Sequence, residues 1–231
     1  MMDVEATLDA WGKSLCPEIA VGSLLKRSDV AQKWKAMFRS ITLRETLLYR
    51  AHDLLTQSLK LHQQTHTLGA RILLRSAFET AAVLVYLNQM TEKVLNGELD
   101  FHEFNAKSVR LLAGSKDGST EIENVNIMTC LQHANKRYDN ILELFEVLSE
   151  TAHPSFEGMM RGYVTIDHEE MVASFSNCWH ERYGENHLPM MEACMVTLDY
   201  EYNTLWPELY ENLEKWLEAN DETLEATKGR I

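Results

Sequence analysis

The sequence predicts an all-α protein, an up-and-down helical bundle of four main helices with helical additions at both ends and a small β-hairpin near 163–175. Three observations carry that expectation. Apolar residues recur at three- and four-residue spacing through most of the chain. Helix start and stop signals punctuate those stretches. Alternation of the β type is confined to the segment after Pro154. A chain of 231 residues, 45% hydrophobic, can bury the core of one domain. Within it we expect an N-terminal extension over 1–42, a bundle core over 43–156, an irregular or hairpin insert over 157–188 and C-terminal helices over 189–220.

Taken in order, Val4 to Trp11 forms a short helix that Pro17 keeps from continuing. Ser28 and Asp29 are caps for a helical stretch through Trp34, Met37, Phe38 and Ile41. Thr42-Leu-Arg-Glu45 reads as a capping box, so a helix should restart at Leu43 and run to about His62. A turn at Gln63-Gln-Thr65 follows, because an unbroken helix to Met90 would be longer than a compact domain. The central helix runs from about Thr67 to Val94, and Asn96-Gly97 ends it. Its stretch from Ala70 to Met90 is nearly apolar on every side yet carries Arg75 and Glu79 one turn apart. A shorter helix to about Leu112 precedes the loop from Gly114 to Thr120. One long helix should then span Glu123 to His153, where Pro154 stops it and leaves Ser149 and His153 one turn apart. Tyr163–Ile166 and Met171–Phe175 read as the hairpin. Helix resumes near Pro189, Pro207 kinks it or starts a second one, and the acidic tail after Asn220 should fray.

The net charge of −13 argues against a general nucleic-acid-binding surface. Charge is uneven, however: residues 1–115 hold 14 basic and 12 acidic residues, leaving 8 and 23 for the rest. Lys26, Arg27, Lys33, Lys35, Arg39, Arg44 and Arg50 face only Asp29 and Glu45, so an anion would approach there unless the run is a solvated helix face. Cys16, Cys130, Cys178 and Cys194 are scattered, which fits neither a zinc pattern nor a disulfide scaffold. The N-terminus lacks a signal-peptide core, and the run Ala77–Leu87 is too short to span a bilayer, so a soluble cytoplasmic protein with no membrane contact is expected.

Two polar groups carry the functional question. Arg75 is positive at any physiological pH, with Glu79 its i,i+4 partner. One reading is a structural ion pair tied to Tyr138 or a backbone carbonyl; the other is a cation holding an anionic group, with Glu79 orienting it. His153, at a helix C-terminus, is either a dipole-stabilised cap or a proton carrier near neutral pH. His62 and His66 would share a helix face only if no turn intervened, and a metal there would need further ligands.

LLRSAFETAAVLVYL, followed downstream by Tyr138 and by LSETAHPS, resembles a group of bacterial helical proteins with an Arg-x-x-x-Glu helix and a Leu-Ser-x-x-x-His-Pro helix end. More distantly it resembles the HEPN superfamily of helical bundles, often dimers, many of them metal-independent ribonucleases of toxin–antitoxin and phage-defence systems. The likeness covers roughly residues 43 to 156. It implies His153, Arg75 and Glu79 as catalytic residues, Tyr138, Ser149 and Arg71 as substrate-binding ones, no metal or other cofactor, RNA as substrate and a homodimer. The superfamily's Arg-x4–6-His signature is displaced: the positions before His153 hold Leu148, Val147 and Glu146. Arg161 with His168, and Arg182 with His187, fit the spacing, but about one such match arises by chance in this composition.

Other chemistries lack their motifs. Glu150-x-x-His153 has no second pair for a di-metal bundle, and no Walker, dinucleotide or Gly-x-Ser-x-Gly motif is present. Two expectations remain: an RNA-cleaving or RNA-binding defence protein, or a non-catalytic helical module with a structural Arg75–Glu79–His153 network whose acidic half engages a basic protein partner.

Overall fold

A computed structural model describes residues 2–229. Its elements are α1 (Val4–Ser14), α2 (Val21–Arg27), α3 (Asp29–Gln32), α4 (Ala36–Gln63), α5 (Thr67–Leu95), α6 (Phe101–Ala113), α7 (Ile127–Asn135), α8 (Ile141–Ala152), β1 (Val164–Asp167), β2 (Val172–Phe175), α9 (Trp179–Tyr200) and α10 (Trp206–Thr227). Two π-helical turns, Phe156–Arg161 and Glu201–Leu205, lead out of α8 and into α10. The fold is all-α with a small hairpin. No helix of the described residues is long and apolar enough to cross a membrane.

The chain falls into two compact units whose limits cut across the boundaries expected from sequence. Unit 1 comprises Met1–Ser14, Tyr49–Ala81 and Asn135–Thr197; unit 2 comprises Leu15–Leu48, Ala82–Ala134 and Leu198–Ile231.

In unit 1 the core gathers Leu8 and Trp11 of α1, Leu55 and Leu59 of α4, Leu74 and Phe78 of α5, Phe145 and Leu148 of α8, and Trp179 and Met191 of α9. The turn between α4 and α5 falls where expected, with Thr65 at φ 62°. The single helix expected over 123–153 is instead two: α7 and α8 are separated at Asn140, whose φ of 73° breaks the helical ladder. The helix also resumes ten residues earlier than expected, at Trp179, so Pro189 lies inside α9. Asn177 caps that start, its side-chain oxygen accepting the Trp179 N–H at 3.1 Å.

The hairpin pairs Val164 with Phe175 and Ile166 with Ala173, which puts these four residues on one face. Ile166 and Phe175 are exposed, whereas on the other face Thr165 accepts a hydrogen bond from Arg182 of α9. Its apolar face is therefore turned outward.

In unit 2 the expected capping box does not form. α4 begins at Ala36, behind Lys35 at φ 59°, and Thr42 spends its hydroxyl on the Phe38 carbonyl within the helix. Glu45 is taken by Arg44 at 2.5 Å and by the Tyr202 hydroxyl at 2.8 Å. The tail does not fray after Asn220 either. Lys33 bridges Asp221 at 2.6 Å and Glu225 at 3.2 Å, Trp34 donates to Asp221, and Arg27 pairs with Glu214. Two of the seven basic residues of the first-half run, Arg27 and Lys33, thus meet the chain's own acidic α10. Gly97, at φ 74°, closes α5 as expected.

Candidate functional site

Three side chains expected to act together do meet in unit 1. Arg75 and Glu79 share a face of α5, with a terminal guanidinium nitrogen 3.2 Å from the Glu79 carboxylate. The Arg75 Nε–H donates to Ser149 Oγ on α8 at 2.8 Å, and the guanidinium lies over the Phe145 ring at 4.8 Å. Phe145 and Ser149 stand one turn apart on α8, whose Ile141, Phe145 and Leu148 are buried. The pair is not sealed in a core as the apolar helix suggested: the two side chains keep 28% and 22% of their surface exposed.

His153 ends α8. Its backbone N–H donates to the Ser149 carbonyl at 3.2 Å, and its ψ of 150° leads into Pro154. Its imidazole is exposed and makes no side-chain hydrogen bond among the described residues. Ser149 therefore links Arg75 through its side chain and His153 through its backbone, and the structure draws no direct Arg75–His153 contact. Tyr138 lies half-buried in the link between α7 and α8.

Arg71, one turn before Arg75, is the buried cation. It is 1% exposed and has no carboxylate within ion-pair distance among the described residues. Its Nε–H donates to Thr151 Oγ1 at 3.0 Å, one terminal nitrogen donates to the Val147 carbonyl at 3.4 Å, and the other points at the Met190 sulfur at 3.9 Å. Its guanidinium lies 4.9 Å from the Tyr183 ring centre. Burial lowers the Arg71 pKa from its ordinary value. It also helps push the Tyr183 phenol up to about 12, together with the hydrogen bond that phenol gives Glu157.

Sequence reasoning missed a histidine cluster. His187 is fully buried, and Ser58 Oγ lies 3.0 Å from its Nε2. Since Ser58 donates to the Ala70 carbonyl at 2.7 Å, its oxygen accepts the His187 Nε2–H. That tautomer leaves Nδ1 a bare, buried acceptor, and neither it nor Nδ1 of His62 has a partner. The His62 ring stacks on His187 at 4.8 Å and stands 5.6 Å from His180. Desolvation holds the His187 pKa down to about 3, with His62 and Arg71 adding to it, and lowers that of His62. The contact closes 129 residues of sequence, and no local pattern announces it.

Neither formal signature match works as a pair. Arg161 and His168 flank strand β1, and His187 of the second match is sealed from solvent while its Arg182 is bound to the Val164 carbonyl. Among the described residues no group of three His, Cys, Asp or Glu is placed to hold a metal. No family model matches the chain, and no curated protein or solved structure matches it.

Proposed function

We propose that the chain is a HEPN-like RNA-processing protein, a metal-independent endoribonuclease or RNA-binding component of a bacterial toxin–antitoxin or phage-defence system, acting as a cytoplasmic homodimer. The observation that carries this reading is the Arg75–Ser149 hydrogen bond, which sets a solvent-reached cation one helical turn from an exposed histidine. In that reading His153 takes the proton from a ribose 2′-hydroxyl, whose oxygen attacks the adjacent phosphorus. A cyclic phosphate forms, the bond to the 5′-oxygen breaks, and that oxygen takes a proton from water. Arg75 neutralises the phosphate charge as it builds, while Glu79 and Ser149 hold its guanidinium in place. A second copy would cover the outward apolar residues from Phe156 to Phe175. Eight of them are large and 38–86% exposed, and exposed apolar residues gathered in one segment mark an interaction surface.

A second reading rests on the same three contacts: with Glu79, Ser149 and Phe145 around it, Arg75 has its needs met within the chain. The protein is then a non-catalytic module, and its acidic half engages a basic protein.

RNA integrity after incubation with the purified chain, its mass checked by light scattering, tests the first reading. Cleavage by wild type that is lost in both His153→Ala and Arg75→Ala, each confirmed folded, is the expected result. Absence of cleavage by wild type transfers the proposal to the second reading.

A further inference from the structure

We propose that the cleft beside Arg71 binds a small organic anion with an apolar body, a medium-chain carboxylate being the simplest member of that class. The cleft, of about 420 Å³, lies wholly within unit 1 and is a size that small ligands fill. Leu144 and Val147 of α8 and Pro189, Met190 and Ala193 of α9 give it an apolar lining, and Arg71 of α5 supplies its one charge.

A guanidinium that is 1% exposed and has no carboxylate partner is an expensive group to keep. Its five N–H donors have three acceptors here, of which the Met190 sulfur is weak and the Val147 carbonyl is distant. That leaves one N–H on each terminal nitrogen without an acceptor, and a carboxylate, with two oxygens, can accept from both. Glu157, whose charge acts on Arg71, already accepts from the Tyr183 hydroxyl and pairs with Arg161. An apolar lining disfavours inorganic phosphate, which would surrender its hydration for one cation. The proposal does not rest on ribonuclease activity, since Arg71 is separate from the Arg75–Ser149 contact.

The test compares thermal melting and calorimetric titration of the purified chain with octanoate, octanol and inorganic phosphate. Octanoate should raise the melting temperature saturably and bind at least about tenfold more tightly than octanol, with phosphate inert. Arg71→Met should melt above wild type, because it removes an unpaired buried charge, and should no longer respond to octanoate. Ala193→Phe should abolish the response with Arg71 still in place. Equal effects of octanol and octanoate, a response to phosphate alone, or an octanoate response that survives in either variant would overturn the proposal. Should Arg71→Met fail to fold, Ala193→Phe decides alone.

Discussion

The two units differ in how they treat buried charge. In unit 2 each of these buried acids has a partner: Glu45 accepts from Arg44 and Tyr202, Glu201 from Asn88 at 2.6 Å, and Glu214 from Arg27, so that the unpartnered atoms there, Glu214 Oε1 and Asn88 Oδ1, belong to side chains already bonded through their other atom. In unit 1 Arg71 is buried without a carboxylate, while His62 and His187 each keep an unpartnered ring nitrogen. A satisfied network fixes one packing arrangement and has nothing left for a ligand or a proton. An unsatisfied one costs stability and keeps its chemistry available. The difference is that unit 2 matches its buried charges with partners, whereas unit 1 keeps a buried cation without a carboxylate.

Unit 2 should therefore yield the largest effect when one partner is removed. Glu45→Ala leaves the Arg44 guanidinium, which stacks over Tyr202 at 3.5 Å and Trp206 at 4.5 Å, without its carboxylate. The expected loss is about 3 kcal/mol in urea unfolding, the usual cost of stranding a buried charge. A loss under about 1 kcal/mol would place Glu45 among surface pairs and erase the contrast.

Unit 1 should instead show its cost through pH. The His187 imidazole titrates near 3 in the folded protein against an ordinary 6.5, so between those values the unfolded chain binds the extra proton. Stability is complete above about pH 6.5 and falls as pH drops, by about 2 kcal/mol at pH 5. His187→Leu should remove most of that slope, read from urea midpoints at pH 7 and pH 5. An unchanged slope would mean that other groups carry it.

The same contrast explains what could be read in advance. Local signals placed the turn after Gln63, the end of α5 at Gly97, the hairpin and the end of α8 before Pro154, because each depends on a few neighbouring residues. Apart from the break at Asn140 and the early start of α9 behind Asn177, failures came where distant contacts decided. The motif at Thr42–Glu45 has the form of a capping box, but Tyr202, 157 residues away, claims Glu45. The acidic tail looked destined to fray, but Lys33 holds it from 188 residues off. For the candidate site, Arg75, Glu79 and Ser149 were legible as helix-face residues and do meet. The burial of Arg71 and the Ser58–His187 contact were not legible, since the first is set by α8 and α9 closing over α5 and the second by α9 meeting α4 within unit 1.

The smallest effect should fall on the pair the sequence made most conspicuous. Arg75 and Glu79 lie four residues apart on one helix and are partly solvated, so water and salt screen their attraction. A double-mutant cycle with Arg75→Met and Glu79→Gln should return a coupling of about 0.5 kcal/mol, shrinking in high salt. Ser149→Ala should cost a further ~1 kcal/mol, the worth of one hydrogen bond to a charged donor in a half-open setting. A coupling above about 2 kcal/mol would mean the pair is buried and structural, and the second functional reading would follow. A weak coupling means that α5 does not need the Arg75–Glu79 attraction for stability, and the Ser149 hydrogen bond is what holds Arg75 in place.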